Sequence, residues 1–323
     1  MSPVLSVVVF CFGLAAAGLS QAQGFPSGPL RMIVSDAPGT PNDVLSKALA
    51  QPLAKSLGVP VFAENRVGAN GIIGMVACAK SPPDGQTLCA TGNSVISMNP
   101  AMRTKLPYDP VRDFVPVVNT GFVDNCIAVH GSVAANSMAD LINMARAKPE
   151  SVNWGYFGEA SLDYLYVQYL HKRYVATFYT VPYKTPLQFL AALVAGEVQA
   201  GVPIWTYAVP FVKSGKMKCL AVTSSQRLPG MESVPTLEEE GMKIPLRAWF
   251  GWHYQALVPK PIIGRMNGEI RKGLHEPPIK ELMASLGLLA NDGTPEEFDS
   301  FCRDQIKQTS EMVKFIGIKP IDN

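Results

Sequence analysis

Along this chain short apolar runs alternate with stretches of helical periodicity, the pattern of an α/β protein. Strands are expected over Leu30–Ser35, Val59–Ala63, Thr87–Thr91, Cys126–His130, Val152–Tyr156, Phe178–Val181, Val198–Val202, Met217–Thr223 and Tyr254–Val258. Helix signals fall between them. Ser137 begins a capping-box-like segment with Asp140 in the acid position, ahead of Leu141, Met144 and Ala145, and Pro149 lies just past its end. Pro186 suits a first-turn position, Leu187, Leu190, Leu193 and Val194 share a face, and Gly196 suits the stop. Thr294-Pro295-Glu296-Glu297 opens a long C-terminal helix whose stripe runs Phe298, Phe301, Cys302, Ile306, Met312 and Val313. That stripe reads as core packing.

Residues 4–19 form a continuous apolar run, and Ser20-Gln21-Ala22 has the small-x-small form of a signal-peptidase site. Residues 1–22 are therefore expected to be a signal peptide and the mature chain to start at Gln23, although no Lys or Arg precedes the run. Export would place the protein in the periplasm, where disulfides are permitted. Cys78 and Cys89 flank the Pro82-Pro83-Asp84-Gly85 turn and are the pair best placed to meet; spacing leaves open whether they are bonded. Cys126, Cys219 and Cys302 sit in apolar surroundings and read as buried thiols.

The length suits two domains, and 47% apolar residues can build two cores. A net charge of +2 without a basic stripe gives nucleic-acid binding no support. The four histidines are scattered and no C-x-x-C occurs, so neither a metal site nor a cofactor is expected. Catalytic signatures are missing too: Gly92-Asn93-Ser94-Val95-Ile96 lacks the closing glycine of a nucleophile elbow, and there is no H-E-x-x-H or P-loop. His253, beside Trp252 in a strand-like run, reads as packed. An enzyme is not expected.

One stretch offers binding chemistry. Gly68, Gly71 and Gly74 in Glu64–Gly74 stand at G-x-x-G-x-x-G spacing between a strand and a helix, where backbone can pass close to a ligand and helix N–H groups favour an anion. This segment, Pro83-Asp84-Gly85, Leu106-Pro107-Tyr108-Asp109-Pro110, Val181-Pro182-Tyr183-Lys184, Leu220-Ala221-Val222-Thr223-Ser224 and Trp249-Phe250-Gly251 follow one another in the order of a known family. Over about residues 25–319 the chain resembles the periplasmic substrate-binding proteins of tripartite tricarboxylate transporters, the Bug family.

The resemblance implies two Rossmann-like α/β lobes with a ligand cleft between them, arranged as in type II periplasmic binding proteins. Lobe 1 is expected over 23–122 plus 251–323 and lobe 2 over 123–250. The ligand would be a small carboxylate and the partners integral-membrane transporter subunits, with a sensor kinase as the alternative partner; a monomer is expected. Four loops become candidates for the cleft. Pro38, Gly39 and Thr40 offer backbone donors before a helix from Asp43, an acid better suited to capping that helix. Asn70 and Gly71 belong to the glycine-rich loop, and Asn93 and Ser94 offer short donors.

In the second lobe Phe157, Gly158 and Ser161 stand in a turn that similar proteins fill with small residues, and Pro203 replaces an Asp, with Trp205 beside it. These departures suggest a ligand with one carboxylate and a more apolar or aromatic remainder against Phe157, Pro203 and Trp205. Glu159, an acid in an anion cleft, is expected to face solvent.

Overall fold

The computed structural model describes residues 24–158, 161–228, 231–242, 244 and 246–320. The expected signal peptide and Glu159 lie outside them. In chain order the elements are β1 (Leu30–Val34), α1 (Pro41–Leu57), β2 (Val61–Asn65), α2 (Ile72–Ala79), β3 (Thr87–Gly92), α3 (Asn99–Met102), β4 (Phe114–Val123) and β5 (Cys126–His130). There follow α4 (Met138–Ala147), β6 (Asn153–Phe157), α5 (Leu162–Tyr174), β7 (Tyr179–Tyr183), α6 (Pro186–Ala195), β8 (Ala200–Gly201), α7 (Trp205–Lys213) and β9 (Met217–Val222). The chain ends with β10 (Ala248–Gln255), α8 (Lys260–Leu274), α9 (Pro277–Ser285), β11 (Leu288–Leu289) and α10 (Pro295–Ile316). No described helix is long and apolar enough to cross a membrane.

Local hydrogen bonds start and stop these helices where the sequence signals stand. Ser137 caps α4 through Asp140 N–H, Thr185 caps α6 with Pro186 in its first turn, and Gly196 ends α6 in the left-handed conformation. Thr294 and Glu297 form a complete capping box at α10. Helix α1 starts earlier than expected: Thr40 is its cap and Pro41 its first residue. Leu45, Leu49, Leu53 and Leu57, four apart, bury its inner face.

The strands form two sheets. The first has the order β11-β4-β10-β3-β1-β2 and the second β7-β6-β8-β5-β9. Strands β2, β1 and β3 are parallel, as are β7, β6 and β8; β10 is antiparallel to β3 and β4, and β5 to β8 and β9. The chain changes sheet between β4 and β5 and returns between β9 and β10.

Strand β4 was not among the expected strands; it carries Pro116 and Asn119-Thr120-Gly121, which weaken a strand pattern. Two register shifts against β10 absorb both, each leaving one extra residue on β4: Pro116 pairs with His253 beyond the unpaired Val117, and Asn119 and Gly121 flank the unpaired Thr120. Gly121 has φ +153°, and a Cβ there would stand 2.5 Å from Leu289 O, so glycine lets β11 close the sheet edge. Strand β10 starts at Ala248, ahead of the expected Tyr254.

The lobes are tied at the crossings and along α10. Where the crossings meet, Arg247 reaches Asp124 at 2.7 Å and lies 4.3 Å over the Phe122 ring. Tyr166 OH donates to Leu246 O at 2.8 Å from α5. Helix α10 packs Phe298 and Cys302 into the first lobe. Its Met312 and Val313 join the core around Trp154 and Leu165 of the second.

Cys78, late in α2, is bonded to Cys89 in β3, with Cα atoms 6.1 Å apart. Closing a loop this short in the unfolded chain is worth about 3 kcal/mol. Urea unfolding of the Cys78→Ala, Cys89→Ala variant should show that loss; an unchanged midpoint would mean the bridge adds nothing.

Candidate functional site

In both sheets the parallel strands deliver their carboxyl ends to loops bordering the space between the lobes. The turn after β1 differs from the expected anion cradle. Pro38 and Pro41 have no N–H. Gly39 N–H donates to Asp43 Oδ2 at 2.8 Å, and Thr40 N–H to Ala37 O at 3.3 Å. The turn thus spends on itself the backbone donors that Pro38-Gly39-Thr40 were expected to offer. Asp43 also holds Lys47 and, at 2.7 Å, the Asn65 amide; despite desolvation, these donors keep its pKa below the usual carboxylate range.

Asp36, at the end of β1, was missed. Its Oδ2 accepts from Asn42 Nδ2 at 2.6 Å, and that same nitrogen lies 3.4 Å from Thr91 O at the end of β3. Burial pushes the Asp36 carboxyl up, with a smaller push from Asp43 against the pull of Asn42.

The glycine-rich loop is built for close packing. A Cβ on Gly71 would stand 2.5 Å from Val95, and one on Gly74 2.8 Å from Ser35. Gly71 N–H already donates to Gly68 O. Asn70 is exposed with φ +53°, and its amide exchanges bonds with Asn99: Nδ2 to Asn99 Oδ1 at 2.9 Å, and Asn99 Nδ2 to Asn70 O at 3.0 Å. Asn99 also approaches Tyr108 OH, which donates to Val95 O at 2.6 Å. This network joins the loop to the segment after β3.

Asn93 and Ser94 are half-buried at the end of β3. Asn93 Nδ2 meets the weak acceptor Met98 Sδ at 3.2 Å, and the Asn93 carbonyl accepts from Ser97. No side-chain cap bond starts the 94–98 turn, so Ser94 is not spent as a cap. The same segment carries Met98 and Met102 into the second lobe, where they pack in one cluster with Leu162 and Leu165 of α5. The β3 loop and the start of α5 therefore meet across the lobes.

On the second lobe Ser161 caps α5 through Tyr164 N–H at 3.2 Å. Gly158 is exposed with φ +74° and open space where a Cβ would be. Phe157 is half-buried against the cluster that holds Phe189 and Trp205. Trp205 is 7% exposed, and Pro203 is buried with its carbonyl bonded to Cys126 N–H. Pro203 and Trp205 thus pack in the second lobe's interior.

The aromatic surface between the lobes is another pair. The Tyr156 and Tyr164 rings lie 5.2 Å apart and, with Met102, Gln168, Ile316, Gly317, Ile318 and Lys319, line a cavity of about 440 Å³. Both tyrosines have an apolar body and a polar tip suited to such a wall. Asp163 lies buried in the same first turn, where desolvation pushes its carboxyl well up against the pull of backbone N–H groups.

His253 is packed, as expected. Thr91 Oγ1 donates to Gly251 O, so the contact at 2.8 Å requires His253 Nδ1 to donate to Thr91, leaving Nε2 to face Cys302 Sγ. Burial pushes its pKa down to about 3. No group of three potential metal ligands occurs among the described residues.

Two α/β lobes, strand-end loops on both and a cavity where they meet define a two-lobed binding protein of the type II periplasmic arrangement. Residues 45–318 match the family model of the tripartite tricarboxylate transporter family receptor, TctC, and the chain belongs to that family. The protein BugT of Bordetella pertussis is 29% identical over 98% of this chain and 97% of its own. The periplasmic binding protein BugD has 26% identity and a TM-score of 0.79, over 93% of this chain and 100% of its own. MatC of Rhodopseudomonas palustris, solved with bound malate, has 25% identity and a TM-score of 0.78, over 90% and 100%. An R. palustris protein solved with adipate has 26% identity and a TM-score of 0.81, over 92% and 100%.

The depressed His253 pKa has a sign. The unfolded chain binds the extra proton first, so the neutral ring's contribution is complete above about pH 6.5 and is lost as pH falls toward 3. Below pH 6 the stability advantage of the natural chain over a His253→Gln variant should shrink by about 1 kcal/mol per pH unit. Urea unfolding from pH 7 to pH 4.5 checks this, and parallel curves would refute it.

Proposed function

We propose that this chain is a periplasmic solute-binding protein that captures a small carboxylate between its lobes. On closing, it presents that ligand to integral-membrane subunits of a tripartite transporter. The observation that carries this reading is the meeting of the β3 loop with the start of α5. Asn93 and Ser94 hold side-chain donors on one side, and on the other stands the first turn of α5, the positive end of that helix. Family membership and the malate and adipate held by similar proteins support the choice of a carboxylate. The ligand's apolar or aromatic remainder lies toward Tyr156 and Tyr164, replacing the wall expected from Phe157, Pro203 and Trp205. The chain carries no catalytic role in this account.

A thermal-shift screen of residues 23–323 tests the reading, with malate, adipate, citrate, amino acids, nicotinate, benzoate and phthalate as probes. At a hundredfold its dissociation constant a true ligand stabilises the fold by roughly 2.7 kcal/mol, a rise on the order of 5 °C. The Asn93→Ala, Ser94→Ala variant should keep its unliganded melting temperature within a few degrees and lose most of the rise. No shift with any acid would overturn the proposal.

A further inference from the structure

We infer that Cys126 and Cys219 form a second disulfide site, in which an S–S bond staples β5, the first strand of the second lobe, to β9, its last. The binding function proposed above uses neither thiol.

The two residues stand on neighbouring strands and share one face. In the β5–β9 ladder Cys126 pairs with Val222 and Ala128 with Cys219, so the cysteines are diagonal neighbours, and Leu220 between those pairs is the extra residue of a bulge. Strict alternation back from Val222 would send Cys219 to the far face of the sheet. The bulge prevents that. Leu220 and Ala221 both enter the core around Trp154, and Cys219 returns to the face that holds Cys126, Ala128 and Val222 against α6 and α7.

The ladder also places them at its close positions. Thr223 N–H donates to Asn125 O, and Gly131 N–H to Lys216 O. Counting inward from those bonds makes Cys126–Val222 and Ala128–Cys219 the non-hydrogen-bonded pairs, where side chains approach most closely. Right-handed twist, which a bulge increases, draws a diagonal across such pairs together. Cys219 leans along that diagonal: its Sγ donates to Ala221 O at 3.6 Å, toward the Cys126 end of β9, and the two thiols hydrogen-bond.

Both are free thiols in the structure, Cys126 buried and Cys219 half-buried. Burial, and then the neighbouring Cys126, push the Cys219 thiol well up, so the packed pair yields little thiolate and the bond forms while the chain folds. One thiolate attacks a disulfide oxidant of the glutathione type, releasing one thiol and leaving a mixed disulfide; the second thiolate then displaces the other half. The cysteines give up two protons and two electrons, and the oxidant leaves as two thiols. The bond lies beside the crossings: Asn125 precedes Cys126, and Thr223 bonds Asn125 through both its N–H and its hydroxyl. It therefore fastens the strand that enters the second lobe to the strand that leaves it. Cys302 faces His253 in the first lobe and takes no part.

Alkylation mass spectrometry tests this on the natural chain, expressed with a secretory leader, purified without reductant and labelled with iodoacetamide in denaturant. With Cys78 and Cys89 bonded, Cys126, Cys219 and Cys302 are the residues open to label. The inference predicts label on Cys302 alone, and a proteolytic fragment joining Cys126 to Cys219 that separates on reduction. Cys219→Ala should carry label on Cys126 as well. Label on both Cys126 and Cys219 of the natural chain, or a bridge from either to Cys302, overturns the inference.

Discussion

The Asp124–Arg247 pair sits where the only two backbone crossings between the sheets touch among the described residues. Asp124 is 4% exposed at its side chain, so its charge has little water to fall back on. Desolvation raises its pKa, and the guanidinium answers that cost at 2.7 Å while stacking on Phe122. Removing Arg247 would strand the buried Asp124 charge, commonly a loss of about 3–5 kcal/mol. Around this pair Trp205 N–H binds Asp124 O, and Tyr166 binds Leu246 O. Both crossings are thereby bound to the second lobe at one point.

Helix α10 adds a second constraint. Its first half belongs to the first lobe and its last turns to the second, where Phe315 meets Tyr169 at 5.9 Å. The tail after it walls the interlobe cavity through Ile318 and Lys319. One helix thus sets the lobe spacing and part of the cavity, so changes at its C-terminal end reach the site without touching the strand-end loops.

Much of the fold was legible because its signals are local. Ser137, Thr185 and Pro186, Gly196 and the Thr294–Glu297 box each act within four residues of themselves, and the structure uses them as read. What escaped depended on distant partners. β4 was not expected, and its pairing with β10 shows how two extra residues, Val117 and Thr120, let a strand carry Pro116 and Asn119. The site was read less well for the same reason. Whether Gly39 and Thr40 offer free donors depends on how Asp43 and Ala37 close the turn. Trp205 looked like a cleft wall beside Pro203, but it packs with Phe189 and Ala208 in the second lobe's core. Tyr156 and Tyr164 stand eight residues apart across a strand-to-helix turn, and only the folded turn brings their rings together.

The central claim is that a carboxylate is held by both lobes at once. It is tested most directly by a crystal structure of the mature chain grown with the acid that raises its melting temperature most. The account predicts density between the lobes, with the carboxylate bonded to Asn93 or Ser94 and the remainder against Tyr156 or Tyr164. Density touching one lobe alone, or lying on the outer surface, would contradict it.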